Sequence, residues 1–242
     1  MRGTWIIFRR EVGQYFVSPV AYMIAAAFLL LTGFLFNNDL VVSATVKAAS
    51  PSVVPQFLSM ALVFFSPVLT MRALAEESRE GTLELLLTAP VRDSDIVLGK
   101  FFGAWFYYSL LLALTLVYQV ILLAITTPDL GHAISAYVGI WLYGGATLAV
   151  GLFFSAVTEN QIVAAFLSTA ALLVLYLGGL AGQIVANVDL ARIINQLTLQ
   201  GHFITSFAYG LVRAEDIVYY AGMIVIMLYI TMRVVEAHRW RA

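Results

Sequence analysis

The chain has 242 residues, 62% apolar and only 11% charged, with a mean hydropathy of +0.92. A soluble domain carries roughly 45–50% apolar and about 25% charged residues, so a soluble globule cannot bury the excess, and a disordered chain has the opposite composition; a polytopic membrane protein remains. The net charge of −1 gives no signal for nucleic acid, and the lack of cysteine excludes disulfides, thiolate zinc sites and cysteine nucleophiles.

Before the first long apolar run, Trp5, Phe8, Val12, Tyr15 and Phe16 fall at helical spacing, with Arg9, Arg10 and Gln14 on the other side. The pattern predicts an amphipathic helix over residues 4–17 lying flat in the cytoplasmic interface. Thr4 is its expected N-cap, and Ser18-Pro19 breaks it before the chain enters the bilayer. Apolar runs over residues 19–36, 56–71, 101–125, 134–157, 162–186 and 217–232 predict six transmembrane helices. Ala73 and Leu74 extend the short second run past Arg72, whose stem can snorkel. Val42-Ser43-Ala44 resembles a signal cleavage site, but the apolar run before it is too long for a signal peptide, so a retained span is expected.

Orientation follows from the basic residues. With the N-terminus inside, the inner segments hold Arg2, Arg9, Arg10, Arg72, Arg79, Arg92, Lys100, Arg233, Arg239 and Arg241. The outer segments hold only Lys47, Arg192 and Arg213. Both termini are therefore expected in the cytoplasm.

The inner stretch from Arg72 to Lys100 carries four basic and six acidic residues. Anionic headgroups repel such a Glu cluster. Arg79 can pair with Glu76 three residues back, and Leu83, Leu86 and Leu87 line one face of a short helix that Pro90 ends. Asp93 or Ser94 then caps the next helix. A solvated loop explains the charge; a docking surface for a cytoplasmic protein explains both the charge and the amphipathic pattern. The turn Thr158-Glu159-Asn160-Gln161 is either a second, smaller contact or a turn that satisfies helix ends.

Outside, residues 41–55 form a small-residue loop. Residues 187–216 carry Leu190, Ile193, Ile194 and Leu197, then Phe203, Phe207 and Leu211, at helical spacing. One or two short helices at the outer interface are expected there, dipping inward as a lid or packing at the surface. Gly139, Gly144, Gly145 and Gly151 in the fourth span, and Gly178, Gly179 and Gly182 in the fifth, point to close or movable helix contacts. An aromatic belt accounts for Tyr107, Tyr108, Tyr137 and Tyr220. Trp141, Tyr143 and Tyr176 lie deeper, as candidates for a pathway.

Enzyme chemistry finds little support. His132, His202 and His238 are scattered outside the spans, and no H-E-x-x-H or G-x-S-x-G is present. Gly99-Lys100 resembles the end of a phosphate-binding loop, but Phe101 replaces the Ser/Thr and Ser94 the first Gly. No metal site is expected. Spans three to six lack the ionisable residues of ion-coupled transporters. Uphill transport therefore needs a partner's energy, and the helix over Glu76 to Thr88 is the best place for that partner to dock.

The run Glu77-Ser78-Arg79-Glu80-Gly81-Thr82-Leu83-Glu84-Leu85-Leu86-Leu87-Thr88-Ala89-Pro90-Val91 resembles the coupling-helix region of ABC-2 type permeases, with the pattern E-x-x-x-G-T-x-E-x-L-L-x-x-P. Tyr15 to Tyr22, Thr158 to Gln161, and Gly201 to Tyr220 are similar to the entry of the first span, the turn after the fourth, and the outer segment of the same family. The gliding-motility-type subfamily is the most similar branch. The resemblance implies a single all-α permease domain over residues 1–242 with a type V exporter-like fold, in which residues 4–17 form the interfacial helix, 76–90 the coupling helix and 187–216 the outer segment. It implies a plasma-membrane exporter subunit without a catalytic site or cofactor of its own, which pairs with a second permease subunit, as a homodimer. A separate ABC ATPase subunit binds the ATP and Mg. An auxiliary periplasmic or membrane subunit belongs to the same expectation. The implied ATPase contacts are Glu77, Arg79, Glu80, Gly81, Thr82 and Glu84, with Glu159 and Asn160 as a secondary contact. The sequence names no substrate. The competing readings are a membrane scaffold that recruits a cytoplasmic partner and a secondary transporter.

Overall fold

A computed structural model describes residues 2–43, 50–82, 86, 91–184 and 196–239. The helices are α1 (Arg2–Val17), α2 (Pro19–Ser43), α3 (Val53–Thr70), α4 (Ala75–Arg79), α5 (Asp93–Ile125), α6 (Leu130–Val157), α7 (Gln161–Ile184), α8 (Leu199–Ile204) and α9 (Ala214–Arg239), with a 3₁₀ turn at Phe207–Tyr209. No strand occurs among the described residues. Among the described residues six helices, α2, α3, α5, α6, α7 and α9, are long and apolar enough to cross a membrane.

The fourth span, α6, is the hub. It is 72% buried over its most apolar window, against 22% for α2 and 17% for α7. It packs against α3, α5, α7 and α9. Missing side chains make this possible. A Cβ on Gly144 would stand 2.2 Å from the ring of Tyr108, and one on Gly139 would stand 2.4 Å from Phe207. Close packing is thus what these glycines provide. Gly179 and Gly182 lie within α7.

The tyrosines expected in an interfacial belt are instead buried anchors between helices. Tyr107 donates to the Ala21 carbonyl at 2.7 Å, Tyr108 to Ile140 at 2.8 Å, Tyr137 to Thr115 at 3.1 Å and Tyr220 to Leu199 at 2.8 Å. A phenol in the bilayer needs an acceptor, and a neighbouring helix offers one that lipid tails cannot. Tyr143 is also fully buried in the core, packed edge-on against Phe203 and Tyr220. Trp141 stacks on Trp105 with ring centres 4.5 Å apart.

The outer segment dips inward. Phe203 of α8 and Phe207 of the 3₁₀ turn are both fully buried, and Gly210, at φ +85°, turns the chain back towards α9. Leu197 and Leu211 stay exposed, and Leu190, Ile193 and Ile194 lie outside the described residues. Two histidines hold this segment: His132 Nε2 meets the Ala208 carbonyl at 2.5 Å, and His202 Nδ1 meets Asp216 at 2.6 Å.

Two helix starts differ from expectation. Thr4 lies inside α1, where its hydroxyl donates to Asp95 rather than capping. α5 begins eight residues before the apolar run, at Asp93, and Arg92 occupies the N-cap position without a side-chain cap bond. Its 33 residues span about 50 Å at 1.5 Å per residue, well beyond the roughly 30 Å hydrocarbon core. The surplus lies at the end where α1 packs.

Candidate functional site

The end of the bundle expected to be cytoplasmic is built on α1 and α5, which run side by side in parallel. Thr4 meets Asp95, Ile7 lies over Gly99, Glu11 over Gly103, and Tyr15 stacks on Tyr107 at 4.8 Å. The contacts advance by about one helical turn on each helix, as in-register neighbours must. α1 therefore gives one face to α5, while Trp5, Phe16 and Val17 from the predicted apolar set and its flank remain exposed. Burial also pushes the Tyr15 phenol up from its usual pKa.

Glu11 lies in the middle of the covered face, only 5% exposed. Its partner is Lys100, 2% exposed, whose Nζ donates to Glu11 Oε1 at 2.8 Å. A buried carboxylate alone is strongly disfavoured, and the ammonium of Lys100 offsets that cost. Lys100 also reaches Glu77 Oε1 at 2.9 Å, and Arg10 reaches the same oxygen at 2.5 Å. Burial opposes the charge on Arg10, but Glu77 and Glu11 outweigh it and hold the guanidinium above its usual pKa. The result is a chain of four charges tying α1, α4 and α5 together.

The loop leaves α3 by a second set of bonds. Pro67 in its last turn lacks an N–H, and the helix stops at Thr70. The Leu74 and Ala75 N–H groups, orphaned at the start of α4, both donate to Ser155 Oγ on α6, at 3.0 and 3.1 Å. Ser155 in turn donates to the Met71 carbonyl at 3.1 Å. α4 touches the inner ends of both α6 and α7.

α4 has only five residues, and Gly81 ends it at φ +71°, a left-handed conformation that costs other residues energy. The helix expected through Glu76 to Thr88 is therefore interrupted at Gly81. Arg79, Glu80, Gly81 and Thr82 are all exposed. Glu77 is turned inward onto Arg10 and Lys100, with a side chain 17% exposed. Glu76 pairs with Arg72 at 3.2 Å rather than with Arg79. Glu84, with Leu83, Leu87 and Pro90, lies outside the described residues.

In the second turn, Asn160 Oδ1 accepts from the Ile162 N–H at 2.9 Å and caps α7. Its side chain is thus engaged, while Glu159 is exposed. Among the described residues no group of three His, Cys, Asp or Glu is placed to hold a metal ion.

Sequence reasoning missed Arg10, Glu11 and Lys100 as parts of this site. One signal was available: a lone carboxylate among Ile7, Phe8, Val12 and Tyr15 demands a cation, and Lys100 heads an apolar span.

A family model described as ABC-2 family transporter protein matches residues 37–237. No curated protein matches the chain.

Proposed function

This chain belongs to the ABC-2 transporter family, as the membrane-spanning component of an ABC transporter, and we propose that its loop between α3 and α5 couples it to a separate ATPase subunit. The observation that carries the proposal is the division of the loop. Arg79, Glu80, Gly81 and Thr82 are exposed, while the residues just before them are tied into the bundle. Force applied to the exposed run reaches α6 through Ser155 and reaches α1 and α5 through Glu77. Glu77 then acts as the inner anchor of the loop, and Glu84 belongs to the same proposed ATPase contact.

When two ATPase subunits close on nucleotide, α4 is displaced and the bonded elements follow it. The hydrolytic chemistry, with ATP and Mg, belongs to the partner; this chain supplies the lever. Glu159, exposed at the neighbouring turn, is the secondary contact, with Asn160 shaping that turn. The complex is an exporter in the plasma membrane, and this chain acts as one domain paired with a second copy. The mostly uncovered faces of α2 and α7 suit such pairing. A gliding-motility-type subfamily and an auxiliary subunit belong to the same proposal.

The test is Glu80→Lys in the assembled transporter. Charge reversal at the exposed carboxylate abolishes substrate-stimulated ATP hydrolysis while insertion and melting temperature hold. Full stimulation in that variant would sink the coupling assignment.

A further inference from the structure

A cleft of about 900 Å³ opens at the cytoplasmic end, between the α1–α2 elbow and the end of α3 with α4. That volume lies within the roughly 300–1,000 Å³ of small-molecule sites. Its walls change character with depth into the membrane. One end is apolar, with Val20, Ile24, Val68 and Leu69 on the two spans. The other end is charged, with Arg10, Arg72 and Lys100 facing four carboxylates, Glu11, Glu76, Glu77 and Glu80.

The four-charge chain leaves one atom unsatisfied. Glu77 Oε1 takes both Arg10 and Lys100, but Glu77 Oε2 is buried without a hydrogen-bond partner among the described residues. A buried carboxylate oxygen needs a donor. Three cations against four carboxylates leave the charged end one cation short. At the mouth, the Arg72 side chain is 42% exposed and pairs only at its edge with Glu76, through Nε at 3.2 Å and Nη2 at 3.2 Å.

We propose that this cleft binds a phospholipid of the cytoplasmic leaflet with a primary-amine headgroup, of the phosphatidylethanolamine type. The acyl chains lie on the apolar wall. The phosphate faces the exposed guanidinium of Arg72, which can bind an oxyanion and a carboxylate together. The ammonium lies among the carboxylates and supplies a donor for Glu77 Oε2, and with its phosphate counted the zwitterion leaves the net charge of that end unchanged. A primary ammonium carries three N–H donors; a choline head has the same charge and none. An anionic glycerol head adds negative charge to an end already short of cations. The charges and hydrogen bonds thus select the amine among the common lipids.

The full chain is purified from vesicles of equal parts phosphatidylethanolamine, phosphatidylcholine and phosphatidylglycerol, and its retained lipid is quantified by native mass spectrometry. The proposal expects at least threefold enrichment of phosphatidylethanolamine over each of the others. Gly13→Trp is the blocking variant. Gly13 lines the cleft, and a Cβ placed there meets nothing within 4 Å, so the indole fills the space without disturbing the fold. It should lose the enrichment at an unchanged melting temperature. Glu76→Gln should reduce it severalfold. Equal retention of the three lipids, a preference for phosphatidylglycerol, or full enrichment in Gly13→Trp overturns the proposal. The readout involves no ATPase, so its failure leaves the coupling proposal untouched.

Discussion

Replacing Lys100 by Met tests whether the charge chain holds α1, α4 and α5 together. The ammonium is almost fully enclosed, with a side chain 1% exposed, and it lies 2.8 Å from a Glu11 side chain only 7% exposed. Breaking a buried pair from one side costs about 3–5 kcal/mol, because the remaining charge stays buried. Arg10 reaches the same Glu11 oxygen at 3.2 Å and is 41% exposed, so it compensates in part. The lower end of the range, about 3 kcal/mol, is therefore expected. For a chain of this size that corresponds to a melting temperature lower by roughly 6–12 °C. The assay is thermal unfolding of the detergent-purified chain as a double-mutant cycle with Glu11→Gln. Glu11→Gln alone costs less, since Lys100 keeps Glu77. The double variant should be more stable than the sum of the two losses predicts by about 1–3 kcal/mol. Additive losses would refute the pairing, as would a Lys100→Met variant that melts with the wild type.

Three further substitutions address other joints. Ser155→Ala removes the acceptor of two buried N–H groups and should destabilise by about 1–3 kcal/mol, while lowering ATP turnover in the assembled transporter more than Thr158→Ala does; thermal melting and a coupled ATPase assay read the two effects. Gly144→Ala places a methyl group 2.2 Å from the Tyr108 ring, and a loss of about 1–3 kcal/mol is expected from overpacking, visible as a lower melting temperature that Tyr108→Leu partly restores. Gly81→Ala forces a side chain into a left-handed conformation at a cost of about 1–2 kcal/mol, but its exposed position means that the effect should appear in ATPase coupling and in proteolysis of the loop rather than in the bundle.

The six spans were legible because lipid imposes one rule on every residue of a run, and that rule can be read locally. Charge hid the start of α5. Asp93, Asp95 and Lys100 end the apolar run, yet α1 covers exactly that side and lets the helix begin early. The second face of α1 was hidden for a related reason. The apolar pattern shows Trp5 and Phe16 on one side, which stay exposed, but not that Glu11 is buried against α5. What decides this is a lysine 89 positions away; the local pattern shows that Glu11 needs a cation but not which one. The tyrosines show the same limit: a belt and a set of interhelical anchors have similar sequences, and only the neighbouring carbonyl distinguishes them. In the loop, the helix expected through Glu76 to Thr88 is interrupted at Gly81, and the inward turn of Glu77 depends on Arg10 and Lys100 and could not be read from the loop itself.

The most direct measurement is a pull-down of the chain from native membranes in mild detergent, with its partners identified by mass spectrometry, in parallel with Glu80→Lys. The account predicts a stoichiometric ATPase subunit with the wild type and its loss with the variant, which still inserts and melts normally. Recovery of the wild-type chain without any ATPase, under conditions that keep a control ABC complex intact, would contradict it.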